Sequence, residues 1–209
     1  VVSPQLDWIG GQAIVVQVGD QLDRGSGEKE ILDLFEHLAI QARDAGGGFY
    51  PLLGNHEIMN VEEDFRYVTD EGWNAFAGVP FDPTDSRLDR YSDKQKPRVA
   101  AFLPGGPYAR ILARHNLVMQ IGDTLFVHGG IFPIHINYGL ENINRETQAW
   151  MRGEAEYPSS LEGDYSPVWA RHYSNETTFD DCLLLEQTLQ AAKAKRIVVA
   201  HTVQRNGIN

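Results

Sequence analysis

The sequence contains 209 residues, of which 42% are hydrophobic and 22% charged, a balance typical of one globular domain with a sizeable core. Its formal net charge of −11 opposes non-specific binding to nucleic acid or to an anionic membrane surface. We therefore expect a single domain over residues 1–209 without a nucleic-acid or membrane partner. Any anionic substrate must then be held by local positive charge.

Short runs of β-branched and apolar residues predict strands over residues 14–18, 49–53, 124–127 and 197–200. A polar group follows each run directly: GDQLDRG after the first, GNHE after the second, HGG after the third and HT after the fourth. Functional groups collect at strand ends in open sheets, because the loops there leave the packed layers. The four polar groups are therefore the places to look for a site.

Apolar residues at helical spacing predict an amphipathic helix over residues 28–43, which the GGG run at 46–48 should end. Further helices are expected within 140–151 and from 180 to about 192. Residues 117–121 and 124–127 flank Gly122-Asp123 and predict an antiparallel hairpin with a tight turn. Together these elements predict an α/β fold with a mixed sheet.

Two segments show no sustained period. Residues 67–96 are rich in Asp, Pro, Gly and charged residues, so we expect an irregular insertion that is a candidate substrate-selecting loop. Residues 153–167 have a similar composition and are a second candidate.

The single cysteine, Cys182, excludes an intramolecular disulfide and a cysteine-based zinc cluster. No apolar run approaches the ~20 residues of a membrane span. Both features favour a soluble protein of a reducing intracellular compartment. Because the chain begins at Val1 and stops at Asn209, soon after its last polar group, we expect it to be truncated at both ends.

The polar groups supply Asp20, Asn55, His128 and His201, which are the ligand types that hydrolytic divalent metals use. Each residue alone has an ordinary structural explanation, such as a turn Asp, a helix-capping Asn or a buried His. The same strand-then-polar pattern recurs four times, however, which chance rarely gives. The four residues are therefore predicted to fill most of one metal coordination sphere.

In combination the polar groups resemble the signatures of the phosphoprotein phosphatase family, within the calcineurin-like metallophosphoesterase superfamily. Longer stretches are similar to its Shewanella-like branch, namely residues 54–60, 64–68, 127–131, 166–171 and 201–204. The resemblance implies a layered αββα fold, in which helices flank mixed β-sheets. It also implies a metal-dependent phosphatase that acts on a phosphorylated protein or peptide.

The resemblance implies two divalent metal ions, Mn²⁺ or else Fe or Zn²⁺, in the complete protein. Asp20 would bridge them, and Asn55, His128 and His201 would complete the ligands of the second metal. The family's Asp-x-His pair for the first metal is absent from this chain, so the ligands of that metal are largely missing.

The same matching makes Arg24 and Arg171 phosphate clamps, a role that suits the permanently charged guanidinium fork. His56 would be the general acid, and Asp23 would orient it and raise its pKa. Glu57 is expected to support the helix start or a ligand rather than to bind metal. The mechanism hypothesised from this matching is in-line attack by a metal-activated hydroxide.

Two other functions remain open from the sequence. One keeps the metals but hydrolyses a small molecule, such as a dinucleoside polyphosphate. The other is a non-catalytic metal-binding module, since the first metal's ligands are missing. The sequence predicts neither the oligomeric state nor the preference among phosphoserine, phosphothreonine and phosphotyrosine.

Overall fold

The computed structural model describes residues 1–205 and Gly207. Within this part of the chain the strands are Ile14–Gln17 (β1), Gly48–Pro51 (β2), Val118–Ile121 (β3), Thr124–Val127 (β4) and Arg196–Val198 (β5). The α-helices are Glu28–Asp44 (α1), Asn55–Val61 (α2), Gly72–Ala75 (α3), Lys96–Phe102 (α4), Pro107–Leu112 (α5), Pro133–Tyr138 (α6), Leu140–Met151 (α7) and Phe179–Ala192 (α8).

The strands form two small sheets. Parallel pairing joins β1 to β2, with Ile14 opposite Gly48. In the other sheet β4 lies in the middle, antiparallel to β3 and parallel to β5. The predicted α/β class with mixed sheets and flanking helices is confirmed, as is the hairpin around Gly122-Asp123.

Backbone bonds beyond the strands connect the structure near the strand ends. Leu52 forms an isolated parallel bridge with Asn116, and the Leu53 amide donates to the Asn116 carbonyl at 3.0 Å. At the end of β4, the His128 carbonyl accepts from the Ala200 amide at 2.8 Å. The two predicted histidine ligands are thereby carried on directly linked segments.

Helix α1 covers the first sheet through one apolar face. Leu38 and Ala42 are buried against Phe49 of β2 and against Trp8. The acidic residues of its first turn and Arg43 in its last turn complement the helix dipole. The helix ends at Asp44, just before the GGG run, and Gly48 of that run already belongs to β2.

The main core lies between α2, α4, α5 and α7. Its buried side chains include those of Ile58, Phe76, Phe102, Leu112 and Trp150. Helix α2, on the residues directly after β2, is buried along its whole length and therefore shows no amphipathic period. Core packing thus fixes the backbone on which Asn55 and His56 stand.

The predicted strands and long helices agree with the structure to within one or two residues at each end. The segment 67–96 is mainly irregular, as expected, but it also contains α3 and a 3₁₀ turn at Ser86–Leu88. Within the described residues, no helix is both long and apolar enough to cross a membrane.

Candidate metal centre

Four predicted ligands converge where the strands end, and we call them the acceptor cluster: Asp20, Asn55, His128 and His201. The Nε2 atom of His128 lies 3.3 Å from Asp20 Oδ1, 3.0 Å from Asn55 Oδ1 and 3.2 Å from His201 Nδ1. Ligand atoms of Asp20, His128 and His201 all lie within 4.8 Å of one another. The structure therefore brings together the side chains that the sequence selected.

The neighbours of the cluster orient its lone pairs inward. His128 Nδ1 lies 2.7 Å from the Val18 carbonyl, so this nitrogen carries the proton and Nε2 faces the cluster as an acceptor. Asn55 Nδ2 points to Met59 Sδ at 3.7 Å, which turns the amide oxygen toward His128. The second sheet and helix α2 thus hold two acceptors face to face.

The charges of the cluster also suit a cation. Burial lowers the pKa of His201 to about 4, so its imidazole is neutral. Burial opposes ionisation of Asp20, but the charge and hydrogen bonding of its neighbours, including the His56 backbone amide, outweigh it, and its pKa is lowered. A carboxylate and neutral imidazoles are the protonation states that metal binding requires.

His201 Nδ1 can donate a proton to His128 Nε2. The oxygens of Asn55 and Asp20 face this same His128 nitrogen, but no proton lies between them and it. The other ring nitrogen of His201 is buried and has no hydrogen-bond partner among the described residues. Acceptors that crowd together in this way repel one another until a cation lies between them. Carboxylate, amide oxygen and imidazole together suit Mn²⁺, Fe and Zn²⁺.

Strained backbone accompanies the cluster. Asp20 and His201 have positive φ angles of 60° and 59°, and Asp23 and Arg24 have φ angles of 69° and 59°. Left-handed conformations of residues other than glycine cost about 1–3 kcal/mol each and persist where the surrounding structure enforces them. Their concentration in one loop and at His201 is typical of a functional site.

The loops after β1 and β2 touch backbone to backbone at two glycines. A Cβ atom on Gly54 would lie 2.4 Å from Asp20 Oδ1, and one on Gly19 would lie 2.6 Å from the Gly54 Cα. Gly19 also has a φ angle of 94°, which L residues rarely adopt. Only glycine at both positions allows Asp20 and Asn55 to approach each other.

Glu57 holds the Asp20 loop in place through hydrogen bonds to backbone amides. Its fully buried carboxylate accepts from the backbone amides of Asp20, Gln21, Leu22 and Gly54 at 2.7–3.0 Å. Burial raises the pKa of Glu57, while four inward N–H groups favour the carboxylate form. Its donors are therefore backbone groups of the two ligand loops, in agreement with the supporting role expected from the sequence.

His56 and Asp23 form a buried pair beside the cluster. His56 Nδ1 lies 2.7 Å from Asp23 Oδ2, and the His56 backbone amide donates to Asp20 Oδ1 at 3.3 Å. Burial favours the neutral imidazole, but the Asp23 hydrogen bond and nearby carboxylates outweigh it and raise the pKa of His56. The pKa values of His56 and His201 are thus shifted in opposite directions within one site.

The two predicted phosphate clamps lie at the edge of the site and are exposed. Arg171 donates from Nη1 to the His201 carbonyl and to Thr202 Oγ1, both at 2.9 Å. Arg24 lies over the Tyr67 ring, 5.0 Å from its centroid, and that ring is 5.2 Å from the ring of His56. Arg171 is therefore joined directly to a residue of the cluster, whereas Arg24 reaches it through Tyr67 and His56.

Sequence reasoning missed three contributors to the site. Trp169 packs its ring edge-on against His201 at 5.6 Å, and Tyr67 lies between Arg24 and His56. Arg98 is fully buried and donates to Asp23 Oδ1 at 3.1 Å. Both aromatic residues fell inside stretches already noted, but no local pattern marked Arg98.

A surface cavity of about 590 Å³ adjoins Arg171. It is lined by Gly163, Asp164, Trp169, Arg171, His172, Asn175 and Asp181. Trp169 contacts His201 as well, so one wall of this cavity adjoins the acceptor cluster.

The sequence model of the family described as calcineurin-like phosphoesterase matches residues 5–205. The chain is 39% identical to Shewanella-like protein phosphatase 2 of Arabidopsis thaliana, over 97% of this chain and 60% of that protein. It is 32% identical to the uncharacterized protein R398 of Acanthamoeba polyphaga mimivirus, over 84% of this chain and 79% of that protein.

Solved structures of cold-active protein tyrosine phosphatase are also similar. One, at 1.1 Å, gives a TM-score of 0.75 at 29% identity and covers 97% of this chain and 57% of that one. Another, from a psychrophilic Shewanella species, gives 0.74 at 28% identity, over 97% of this chain and 59% of that one. The chain thus spans 60% or less of the Arabidopsis relative and of these structures. The Shewanella-like resemblance predicted from the motifs is confirmed.

Proposed function

Because the chain belongs to the calcineurin-like phosphoesterase family, we propose that it is the metal-binding part of a protein phosphatase that hydrolyses phosphomonoesters. One observation carries the proposal: four acceptors converge on one point beside a buried imidazole that is hydrogen-bonded to a carboxylate. The names of the Arabidopsis relative and of the Shewanella structures supply the substrate class, a phosphorylated protein or peptide.

The proposed phosphatase function requires bound divalent metal ions. Asp20, Asn55, His128 and His201 would hold one ion, and Asp20 would be shared with a second ion in the complete protein. Bound divalent ions lower the pKa of water toward neutrality and offset phosphate charge. Mn²⁺, or else Fe or Zn²⁺, fits this donor set, since each accepts mixed oxygen and imidazole ligands.

The chain's own residues would bind the phosphate and move the proton. Arg171 and Arg24 would donate N–H groups to phosphate oxygens and fix the phosphorus for in-line attack. His56 donates from Nδ1 to Asp23, which directs its Nε2 toward the substrate as the general acid. Its raised pKa keeps a proton available for the leaving oxygen near neutral pH.

The cavity beside Arg171 supports a substrate larger than inorganic phosphate. Its Trp169 wall offers an apolar ring, and Asp164 and Asp181 lie along it. A peptide chain attached to the phosphorylated residue would extend into this space. Residues 67–96 remain a predicted influence on substrate choice, because Tyr67 contacts His56.

The test is Mn²⁺-dependent hydrolysis of para-nitrophenyl phosphate by the wild type, by Asp20→Asn and by the matched exposed control Asp44→Asn. We expect Asp20→Asn to lower kcat on the order of a thousandfold, because metal assistance contributes several kcal/mol to the transition state. The control should match the wild type. Equal rates for wild type and Asp20→Asn would refute the assignment of Asp20.

A panel of phosphopeptides and nucleotides identifies the substrate class. Higher kcat/KM values for phosphopeptides would support the protein phosphatase, and higher values for a dinucleoside polyphosphate would replace it with a small-molecule phosphoesterase. Metal binding without turnover of any of these substrates would leave a metal-binding module.

A further inference from the structure

The two carboxylate oxygens of Asp23 have different partners. Its Oδ2 atom faces His56 Nδ1 at 2.7 Å, while Oδ1 accepts from Asn60 Nδ2 and from Arg98 Nη2, each at 3.1 Å. The carboxylate is therefore held from three directions. The two donors to Oδ1 oppose rotation of the carboxylate away from His56.

Arg98 is a rigid donor because all of its N–H groups have partners. Its Nε and Nη2 atoms donate to Asn60 Oδ1 at 3.0 and 2.9 Å, and Nη1 donates to the Gly72 carbonyl at 3.1 Å and to Glu28 Oε2. The side chain has no exposed surface. A guanidinium with every donor engaged has one orientation.

Aromatic packing fixes the same group from its faces. The Arg98 guanidinium lies 5.1 Å from the centroid of Phe76 and 5.5 Å from that of Phe102. Both rings belong to the main core. The orientation of the Asp23 carboxylate is thereby tied to the main core.

Asn60 joins this arrangement to helix α2. It donates from Nδ2 to the His56 carbonyl at 2.9 Å, one turn earlier in the helix, as well as to Asp23 Oδ1. Its oxygen accepts both contacts from Arg98. The amide thus uses all of its hydrogen-bonding capacity and fixes Asp23 relative to His56.

We propose that Arg98, acting with Asn60, is a positioning residue for the proton-transfer pair His56–Asp23. It holds Asp23 Oδ2 on His56 Nδ1, so that the opposite imidazole nitrogen stays aimed at the leaving oxygen. This inference rests on the proposed phosphomonoesterase function. A simpler role, in which Arg98 only neutralises buried carboxylates, would affect folding but not proton transfer selectively.

The choice of leaving group separates the two roles. Acid assistance matters little for para-nitrophenolate and much more for phenolate, because a basic leaving oxygen needs a proton in the transition state. Arg98→Lys retains the charge but loses the fork. We expect it to lower kcat for phenyl phosphate by up to about a hundredfold, with much less change for para-nitrophenyl phosphate and an unchanged KM.

The matched control is Arg114→Lys, at an exposed arginine that pairs with Glu36. It should match the wild type on both substrates. If Arg98→Lys folds poorly, Asn60→Ala tests the same link without removing a buried charge, and the same selective loss on phenyl phosphate is expected. Equal losses on the two substrates in the folded variants would overturn the proposal.

A second readout needs no activity. The Nδ1 proton of a histidine held on a carboxylate gives a downfield proton NMR signal, which Asp23→Asn assigns by its loss. In metal-free protein we expect Arg98→Lys and Asn60→Ala to shift or broaden this signal. An unchanged signal would overturn the positioning role, whereas an inactive wild type would refute the proposed function and leave this NMR result valid.

Discussion

The acceptor cluster and the ion-pair network beside it share the loop after β1 and helix α2, but their hydrogen bonding is balanced differently. In the cluster, the inward-facing atoms of Asp20, Asn55 and His128 are all acceptors. In the buried network, which comprises Asp23, Glu28, His56, Asn60 and Arg98, each hydrogen bond joins a donor to an acceptor, and Glu28 Oε1 is its only fully buried side-chain atom without a partner among the described residues.

The difference shows which region depends on something outside the chain. The network is internally paired, so folding alone completes it. The cluster brings together like partial charges and strained φ angles, so folding sets it up at a cost and a cation is needed to offset that cost. The two histidines follow the same division, since the pKa of His201 is lowered and that of His56 is raised.

The largest expected effect is on the network. Arg98→Met should lower the free energy of unfolding by about 3–5 kcal/mol, because it leaves the buried carboxylates of Asp23 and Glu28 without their cation. Urea unfolding in the presence of EDTA measures this. The exposed counterpart Arg114→Met should change stability by no more than about 1 kcal/mol. Similar small losses in both variants would remove the distinction between the two regions.

The next effect belongs to the cluster. Mn²⁺ at a hundred times its Kd should stabilise the wild type by about 2.7 kcal/mol, since it binds only the folded state. Asp20→Asn should lose most of this gain and yet be nearly as stable as wild type in EDTA, because Asn tolerates a left-handed φ. Thermal unfolding with and without metal checks both points. A strongly destabilised metal-free variant would contradict the view that the empty cluster is self-repulsive.

Glu57 combines features of the two regions. Its carboxylate supports the Asp20 loop of the cluster, but through hydrogen bonds that pair donors with acceptors as in the network. For Glu57→Gln we expect a loss of about 2 kcal/mol in stability, since the amide nitrogen of Gln cannot accept from the backbone amides that face it. Unfolding in EDTA gives this value, and Glu30→Gln on the exposed side of α1 is the control. A neutral Glu57→Gln would mean that the Asp20 loop keeps its shape without these bonds.

The remaining effect is a dependence on pH, which partial exposure of His201 to solvent moderates. The folded pKa of His201, about 4, lies below its ordinary value of 6.5, so the unfolded chain binds more protons between these values. Stability of the metal-free protein should therefore be fully present above pH 6.5 and fall as the pH drops toward 4. His201→Asn should flatten this fall, whereas the exposed His37→Asn should not. An identical slope in wild type and His201→Asn would show that His201 is not held neutral by the fold.

The opposite sign applies to His56. Its pKa is raised in the folded state, so the stability it contributes is present below pH 6.5 and is lost as the pH rises through the folded pKa. Asp23→Asn should remove that contribution. The pH dependence of unfolding thus reports on the two regions with opposite signs.

The sequence predicted the strands and the acceptor cluster because both depend on local signals. Short β-branched runs mark β1 and β4, and ligand-type residues follow them directly. Helices α4, α5 and α6 were not predicted, because six or seven residues are too few to show an amphipathic period. Their positions depend on packing against the core, which no short window of sequence contains.

Arg98 shows the same limit at the level of a side chain. Arginine is ordinarily exposed, so its position in a short helix after an irregular segment gave no reason to expect complete burial. Its partners Asp23 and Glu28 are 75 and 70 residues away along the chain. Only the folded arrangement of α1, α2 and α4 brings them together.

The backbone contact between Gly19 and Gly54 restricts how this protein can be altered in the laboratory. Any side chain at Gly54 would displace Asp20, and any side chain at Gly19 would push apart the loops after β1 and β2. A randomised library that includes either position would therefore consist mainly of inactive clones. Diversity is better placed in residues 77–95, beyond the Tyr67 contact and before Arg98, where changes leave the spacing of the ligand loops intact.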